Sequence, residues 1–243
     1  MKSYIKKCNC YEAIKEIEDG SIDLIVTDPP YDIQGLHGSG IVKDRGVSFH
    51  NELIESSLGE GIDLSILEDF IRIQKKINIY LFCNKEQIIP YLDFFVKKHN
   101  CNFEILIFAK EDPIPFCGTH YLKDKEYCLY FWETGAHLHV TYDKGKTVFY
   151  TRKNIADKND YGHPTIKPLD FVMMLIENSS VTGGVVFDPF LGSGTTAIAA
   201  KRLGRKYIGF EINPKYYKIA SDRLEGFNQK GEMNIFDIQE EEE

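Results

Sequence analysis

Seven short runs of this chain are apolar at nearly every position rather than at alternate ones: "IDLIVT" (22–27), "INIYLFC" (77–83), "FEILIFA" (103–109), "YCLYFW" (127–132), "KTVFYT" (146–151), "GVVFDP" (184–189) and "KYIGFEI" (206–212). A strand that is apolar on both faces has to be covered on both, which is the situation of a parallel sheet held between two layers of helix. Helical periodicity falls between the runs, over 10–18, 85–98, 168–178, 194–204 and 214–225. Pro168 and Pro214 stand where a first helical residue belongs, and Asn213 is placed to cap the second of these helices. The alternation predicts an open, doubly wound α/β sheet. Two stretches break the rhythm, 32–65, rich in Gly, Ser and charge, and 110–163, rich in Pro, Gly, Tyr and His. Insertions of that length are expected over a sheet edge, where binding loops gather.

A chain of 243 residues is long enough for one large domain without staples, here 1–231, followed by an acidic tail over 232–243 that is expected to be disordered. The tail holds six acids and no base, so the formal charge of −8 falls to −2 for the remainder. That balance neither favours nor excludes a nucleic-acid partner, whose phosphates need Lys and Arg. The cysteines at 8, 10, 83, 101, 117 and 128 match neither CxxC nor zinc-ligand spacing and read as reduced packing residues, with no metal expected. The N-terminus has no apolar h-region, and no stretch approaches the ~18 apolar residues of a membrane span, so a soluble, cytoplasmic protein is expected.

The second half carries "VVFDPFLGSGTTAIAAKRLG", a strand ending at Asp188, a glycine turn, and a small-residue helix that starts near Thr195. Such a turn aims backbone N–H groups and a positive helix end at the mouth of the sheet. Gly192, Gly194 and Ala197 fit the dinucleotide pattern GxGxxA, with Glu211 17 residues beyond Gly194 as a ribose-binding acid, so a dehydrogenase has to be weighed. Asp188 opposes it, because a carboxylate at the strand end repels a pyrophosphate lying on the same loop. It asks instead for a cationic cofactor. S-adenosyl-L-methionine has the sulfonium and ammonium for an acid, a carboxylate for the helix end, and ribose hydroxyls for Glu211. A Walker P-loop is excluded, since no Lys-Ser/Thr pair follows the glycines. The plain structural alternative is a glycine that merely eases a strand-to-helix turn.

The first apolar run ends in "TDPPY", residues 27–31. Pro29 and Pro30 cannot extend a ladder, and they hold Asp28 and Tyr31 in a stiff extended turn. With Pro near ~5% of residues, DPPY arises by chance in a chain of this length on the order of once in 10³. A proline-stiffened loop accounts for the prolines but not for an acid and a ring on either side of them. At this point the sequence resembles the DNA amino-methyltransferases, and within them the adenine-N6 group whose DPPY precedes the cofactor motif. The resemblance runs from Cys8 to Leu224 through "CNCYEAIKEIEDGSIDLIVTDPPY", "YLKDKEYCLYFW", "HPTIKP" and the glycine-loop segment.

The resemblance implies a seven-stranded methyltransferase sheet with one antiparallel strand, S-adenosyl-L-methionine as cofactor, and double-stranded DNA from which the target base is flipped. It implies a catalytic group of Asp28, Pro29, Pro30 and Tyr31, in which Asp28 and the Pro29 carbonyl each accept an amino hydrogen and Tyr31 stacks on the base. It places Lys167, Pro168, Asp188, Phe190, Gly192, Gly194, Thr195 and Glu211 around the cofactor. Asn9 stands where the family usually has Asp, an acceptor for the cofactor adenine, and keeps the acceptor without the charge. The family leaves room for a restriction endonuclease partner and for a monomer or a homodimer. Segment 110–163, with Lys123, Lys125, Lys144, Lys146, Arg152 and Lys153 among Tyr121, Tyr127, Tyr142 and Tyr150, is the candidate for target recognition, and 35–60 for a loop over the flipped base. His137 and His139 alternate on a candidate strand and read as surface residues. The alternatives are a cytosine-N4 enzyme, which more often has Ser in place of Asp28, an RNA or protein-glutamine methyltransferase, and a nucleic-acid-binding module without catalysis.

Overall fold

A computed structural model describes residues 2–30, 61–111, 113, 121–122, 124–151 and 166–227. The chain runs β1 (Tyr4–Lys7), α1 (Cys10–Ala13) with a 3-10 turn Ile14–Glu16, β2 (Leu24–Thr27), α2 (Ile66–Ile73), β3 (Asn78–Cys83), α3 (Ile88–Leu92) with a π-helical turn Asp93–Lys98, and β4 (Asn102–Lys110). It continues through β5 (Lys125–Trp132), β6 (Val148–Thr151), α4 (Leu169–Ser179), β7 (Val185–Asp188), α5 (Thr195–Arg202), β8 (Lys206–Glu211) and α6 (Pro214–Leu224). Tyr31, most of 32–65, residues 112, 114–120, 123 and 152–163 of the second insertion, and the acidic tail lie outside the described residues.

All seven apolar runs form strands. β1 adds an eighth, so the count is one higher than the family resemblance implies; this half-polar edge strand, YIKK, lacks the apolar signal of the others. The sheet order is β1-β8-β7-β2-β3-β5-β4-β6. Every pairing is parallel except the two made by β5, which runs against both β3 and β4. From β2 the chain builds outward through β3 on one side, whereas β7 and β8 build outward on the other. Their meeting line is the switch point where open α/β sheets bind ligands at the carboxyl ends of the strands.

The runs of β2, β3, β5 and β7 are continuous because each of these strands feeds two cores, whereas β6, at the sheet edge, leaves Val148 and Tyr150 exposed. Ile25, Ile79, Leu81 and Phe187 pack on one face with Leu67 and Phe70 of α2 and Phe95 of the π turn. Leu24, Val26, Tyr80, Phe82 and Val186 pack on the other with Leu175 and Ile176 of α4 and Ala199 and Ala200 of α5. Helix α2 went unpredicted although Ile66, Leu67, Phe70 and Ile73 form its buried stripe. Pro90 is tolerated in α3 because it sits in the first turn, where no intrahelical donor is lost. Asn213 caps α6, accepting from the Lys215 and Tyr216 amides, with Pro214 as its first residue; Pro168 instead lies one residue before α4. Residues 137–139 form no strand, and the His139 amide donates to the Asn178 carbonyl. Leu81 is fully buried; Leu81→Ala is expected to cost about 2–5 kcal/mol of folding free energy, read from urea denaturation.

Candidate active site

Because β2 and β7 pair in parallel, with Leu24 opposite Val186 and Ile25 opposite Phe187, their ends lie side by side and two acidic turns leave the sheet together. The Thr27 hydroxyl donates to Asp188 Oδ1 at 2.7 Å, and the Phe190 amide donates to the same oxygen at 3.1 Å. The Thr196 hydroxyl donates to the Val26 carbonyl. Above this seam lies a cavity of about 250 Å³.

Of the residues singled out by sequence, Asn9, Asp28, Pro30, Lys167, Asp188, Phe190, Gly192, Thr195 and Glu211 line that cavity. Pro29, Pro168 and Gly194 do not. Gly194 has φ 85°, and a Cβ there would meet the Ala220 Cβ at 3.0 Å, so this glycine lets α5 and α6 close together behind the loop. Asn9 caps α1: its Oδ1 accepts from the Tyr11 amide at 3.0 Å, so the oxygen expected to serve the cofactor already serves the backbone.

Glu211 braces two elements at once, accepting from the Gly192 amide at 2.8 Å and from the Asn213 amide at 2.7 Å. Burial pushes its carboxyl up, against the lowering effect of those amides. Burial likewise raises Asp188 to about 7, opposed by the Thr27 and Thr196 hydroxyls and the Phe190 amide, with the nearby Asp28 charge adding to the rise. Neither acid has an ion-pair partner among the described residues. Two buried, uncompensated carboxylates in one cavity suit a cation, and S-adenosyl-L-methionine brings two cationic centres. A pyrophosphate in the same place would meet both acids.

Asp28 is arranged differently. Its Oδ2 lies 2.7 Å from Lys167 Nζ, while Oδ1 is buried and has no hydrogen-bond partner among the described residues. Lys167 in turn lies 3.1 Å from Glu126 Oε2 and sits over the Phe82 ring at 4.9 Å. No described group donates to the Pro29 carbonyl, whereas the Pro30 carbonyl accepts from Gln87 Nε2 at 3.2 Å. Gln87 is itself locked to Asn84 by two hydrogen bonds, so the turn after β3 braces the proline turn.

Sequence reasoning missed Thr27, Gln87, Glu126, Tyr11 and Arg223. Arg223, buried at 5% exposure, reaches from α6 to the Ser193 carbonyl at 2.7 Å and the Thr195 hydroxyl at 3.2 Å and fixes the glycine loop. In sequence it reads only as a basic residue in the last turn of a helix, matched to the dipole. The described cysteines are free; burial pushes Cys10 and Cys83 up to about 12, so neither is a primed nucleophile, and Cys117 lies outside the described residues.

The DNA methylase family model for N6- and N4-directed enzymes matches residues 22–222. The chain is 31% identical over 249 residues to the type II methyltransferase M.HinfI of Haemophilus influenzae, covering 90% of this chain and 67% of that one. It is 27% identical to the type II methyltransferase M2.DpnII of Streptococcus pneumoniae, covering 94% and 91%. In fold it is similar to the M1.HpyAVI–SAM complex, with TM-score 0.67, 23% identity, and 90% and 98% of the two chains covered. It is also similar to the PvuII DNA methyltransferase, a cytosine-N4-specific enzyme, with TM-score 0.68, 16% identity and 92% and 86% covered. The chain belongs to the N6/N4 DNA methylase family: it is a DNA methyltransferase whose cofactor is S-adenosyl-L-methionine.

A raised folded-state value means that folding favours protonated Asp188. The penalty for ionising it is absent below the ordinary carboxylate value of about 4 and complete above about 7. Asp188→Asn is therefore expected to gain stability over the parent chain as pH rises from about 4 to about 7 and to hold that gain above it, read from melting temperatures across the range.

Proposed function

We propose that the chain methylates N6 of an adenine flipped out of double-stranded DNA. The observation that carries this reading is the Asp28 carboxylate at the cavity, one oxygen anchored and the other without a partner among the described residues, next to a Pro29 carbonyl to which no described group donates. A nucleobase amino group is a poor nucleophile because its lone pair is delocalised into the ring. Two acceptors that each take an amino hydrogen turn that nitrogen toward tetrahedral geometry, and holding them rigid makes the gain largely one of orientation. The prolines and Gln87 supply the rigidity, and Tyr31 the stacking face.

S-adenosyl-L-methionine supplies an electrophilic methyl group on a cationic sulfur. Asp188 favours its positive charge, Glu211 keeps the glycine loop shaped around it and offers its remaining lone pairs to ribose hydroxyls, and Phe190, Tyr11 and Asn9 line the same cavity. With the buried thiols unprimed, transfer is direct to nitrogen without a covalent enzyme intermediate. Asp at position 28 rather than Ser favours adenine over cytosine by family resemblance; similarity in fold to a cytosine-N4 enzyme keeps that second reading in play.

One methyltransferase domain over 1–231 would carry these parts, with target recognition in 110–163, where Tyr121, Tyr142 and Tyr150 are exposed. Cytoplasmic modification of DNA alongside a restriction endonuclease fits the type II relatives; no described helix is long and apolar enough to cross a membrane.

Incubation with labelled S-adenosyl-L-methionine and a DNA library, followed by base-resolved mapping, is expected to give N6-methyladenine at one recurrent sequence. N4-methylcytosine in its place would overturn the adenine assignment. Asp28→Ala is expected to lower kcat by at least about 10³-fold with cofactor Kd within a few-fold, and Glu211→Ala to weaken cofactor binding first. Because a cation selects ionised Asp188, cofactor affinity is expected to rise with pH up to about 7 and then level, and to lose this dependence in Asp188→Asn, read by calorimetry.

A further inference from the structure

Strand β5 is the only reversed strand among those described, and its reversal has a chemical result. A strand parallel to its neighbours would bring its last residues to the carboxyl edge of the sheet; β5 brings its first ones. Tyr127 pairs with Cys83, the end of β3, and Glu126 pairs with Phe108 near the end of β4. Glu126 therefore stands at the carboxyl edge of the sheet, behind Lys167, which lines the cavity. Its Oε2 lies 3.1 Å from Lys167 Nζ, and its Oε1 lies 2.7 Å from Lys110 Nζ. With Asp28 Oδ2 2.7 Å from the same Lys167 nitrogen, the four side chains form a row of alternating charge, Asp28, Lys167, Glu126, Lys110, that is neutral in sum.

We infer that Glu126 is a positioning residue for methyl transfer: it shares the Lys167 ammonium, so that this cation anchors Asp28 without cancelling the carboxylate that accepts one amino hydrogen of the target base. The inference rests on the reading of Asp28 as that acceptor. The nitrogen that takes the methyl gains a positive charge and then releases one proton, which Asp28 is placed to receive. An unshared ammonium bonded to Asp28 would oppose both changes, because the pair would present little net negative charge to the nitrogen. Without any cation, Asp28 would lose the contact that fixes Oδ2 and leaves Oδ1 for the substrate. Glu126 meets both needs by drawing Lys167 from the far side. The Lys167 charge, with that of Lys110, holds the Glu126 carboxyl down at about 2, so Glu126 keeps its charge at any working pH.

The test is a double-mutant cycle with Glu126→Gln and Lys167→Met, in which kcat, DNA KM and cofactor Kd are read for each variant. Glu126→Gln is expected to lower kcat about 10- to 100-fold, with cofactor Kd and DNA KM each within about threefold. In the Lys167→Met background the same change is expected to alter kcat by less than about threefold, because Glu126 acts through the lysine. Additive losses, or an unchanged kcat in Glu126→Gln, would overturn the inference. Should Glu126→Gln fail to bind cofactor, Glu126→Asp, which keeps the charge and shortens its reach, carries the same comparison: kcat falling with cofactor Kd held supports the role, and kcat unchanged refutes it. If Asp28→Ala itself retained activity, the assignment of the acceptor would fall, whereas a silent Glu126 beside an essential Asp28 would sink the positioning role alone.

Discussion

The parallel pairing of β2 with β7 sets the distance between two acids on which the whole site turns. Each strand ends in an aspartate turn, and the Thr27–Asp188 hydrogen bond at 2.7 Å ties one turn to the other. Both acids line the cavity; in the proposed reaction one meets the cationic donor and the other the amino group that accepts the methyl. The sheet fixes their relation; the loops around them do not have to. A change in register between β2 and β7 would separate the two halves of the reaction while leaving each motif intact.

Charge compensation divides the two acids into different roles. Asp188 and Glu211 are buried with no cationic partner among the described residues, held by hydroxyl and amide donors that satisfy oxygens but do not match the charge. Such a carboxylate is costly in the empty protein and is relieved by a cationic ligand, which turns a folding penalty into binding preference. Asp28 is held by a lysine whose charge is itself divided with Glu126. The same residue type is thus held by hydroxyl and amide donors in one turn and by an ammonium in the other, the difference on which the two proposed roles rest.

How much of this could be seen in the sequence depends on whether a residue's partner lies near it in the chain. The central buried strands announce themselves, since a strand covered on both sides must be apolar throughout. Asp28, Asp188, Gly192 and Glu211 were legible because each sits in a short motif at the end of such a strand. β1 was not, because its residues, YIKK, are half polar and mostly exposed. Glu126, Gln87 and Arg223 were not legible either: they act on residues 41, 57 and 30 positions away, and nothing in their own neighbourhood distinguishes them from surface polar residues. Gly194 was legible as a glycine of the cofactor loop, and the close approach of Ala220 behind it was not. Asn9 shows the same displacement, its oxygen being engaged as a helix cap.

By itself the sequence determined the layered α/β sheet, the two acidic turns and the need for a cationic cofactor, because buried strands, rigid prolines and glycine turns are local consequences of residue type. Tertiary structure alone decided which acids share a cavity, which oxygen of Asp28 is engaged, and which lysine and glutamate stand behind it. Those are matters of strand order and of one reversed strand, and a linear pattern carries no record of which ends meet.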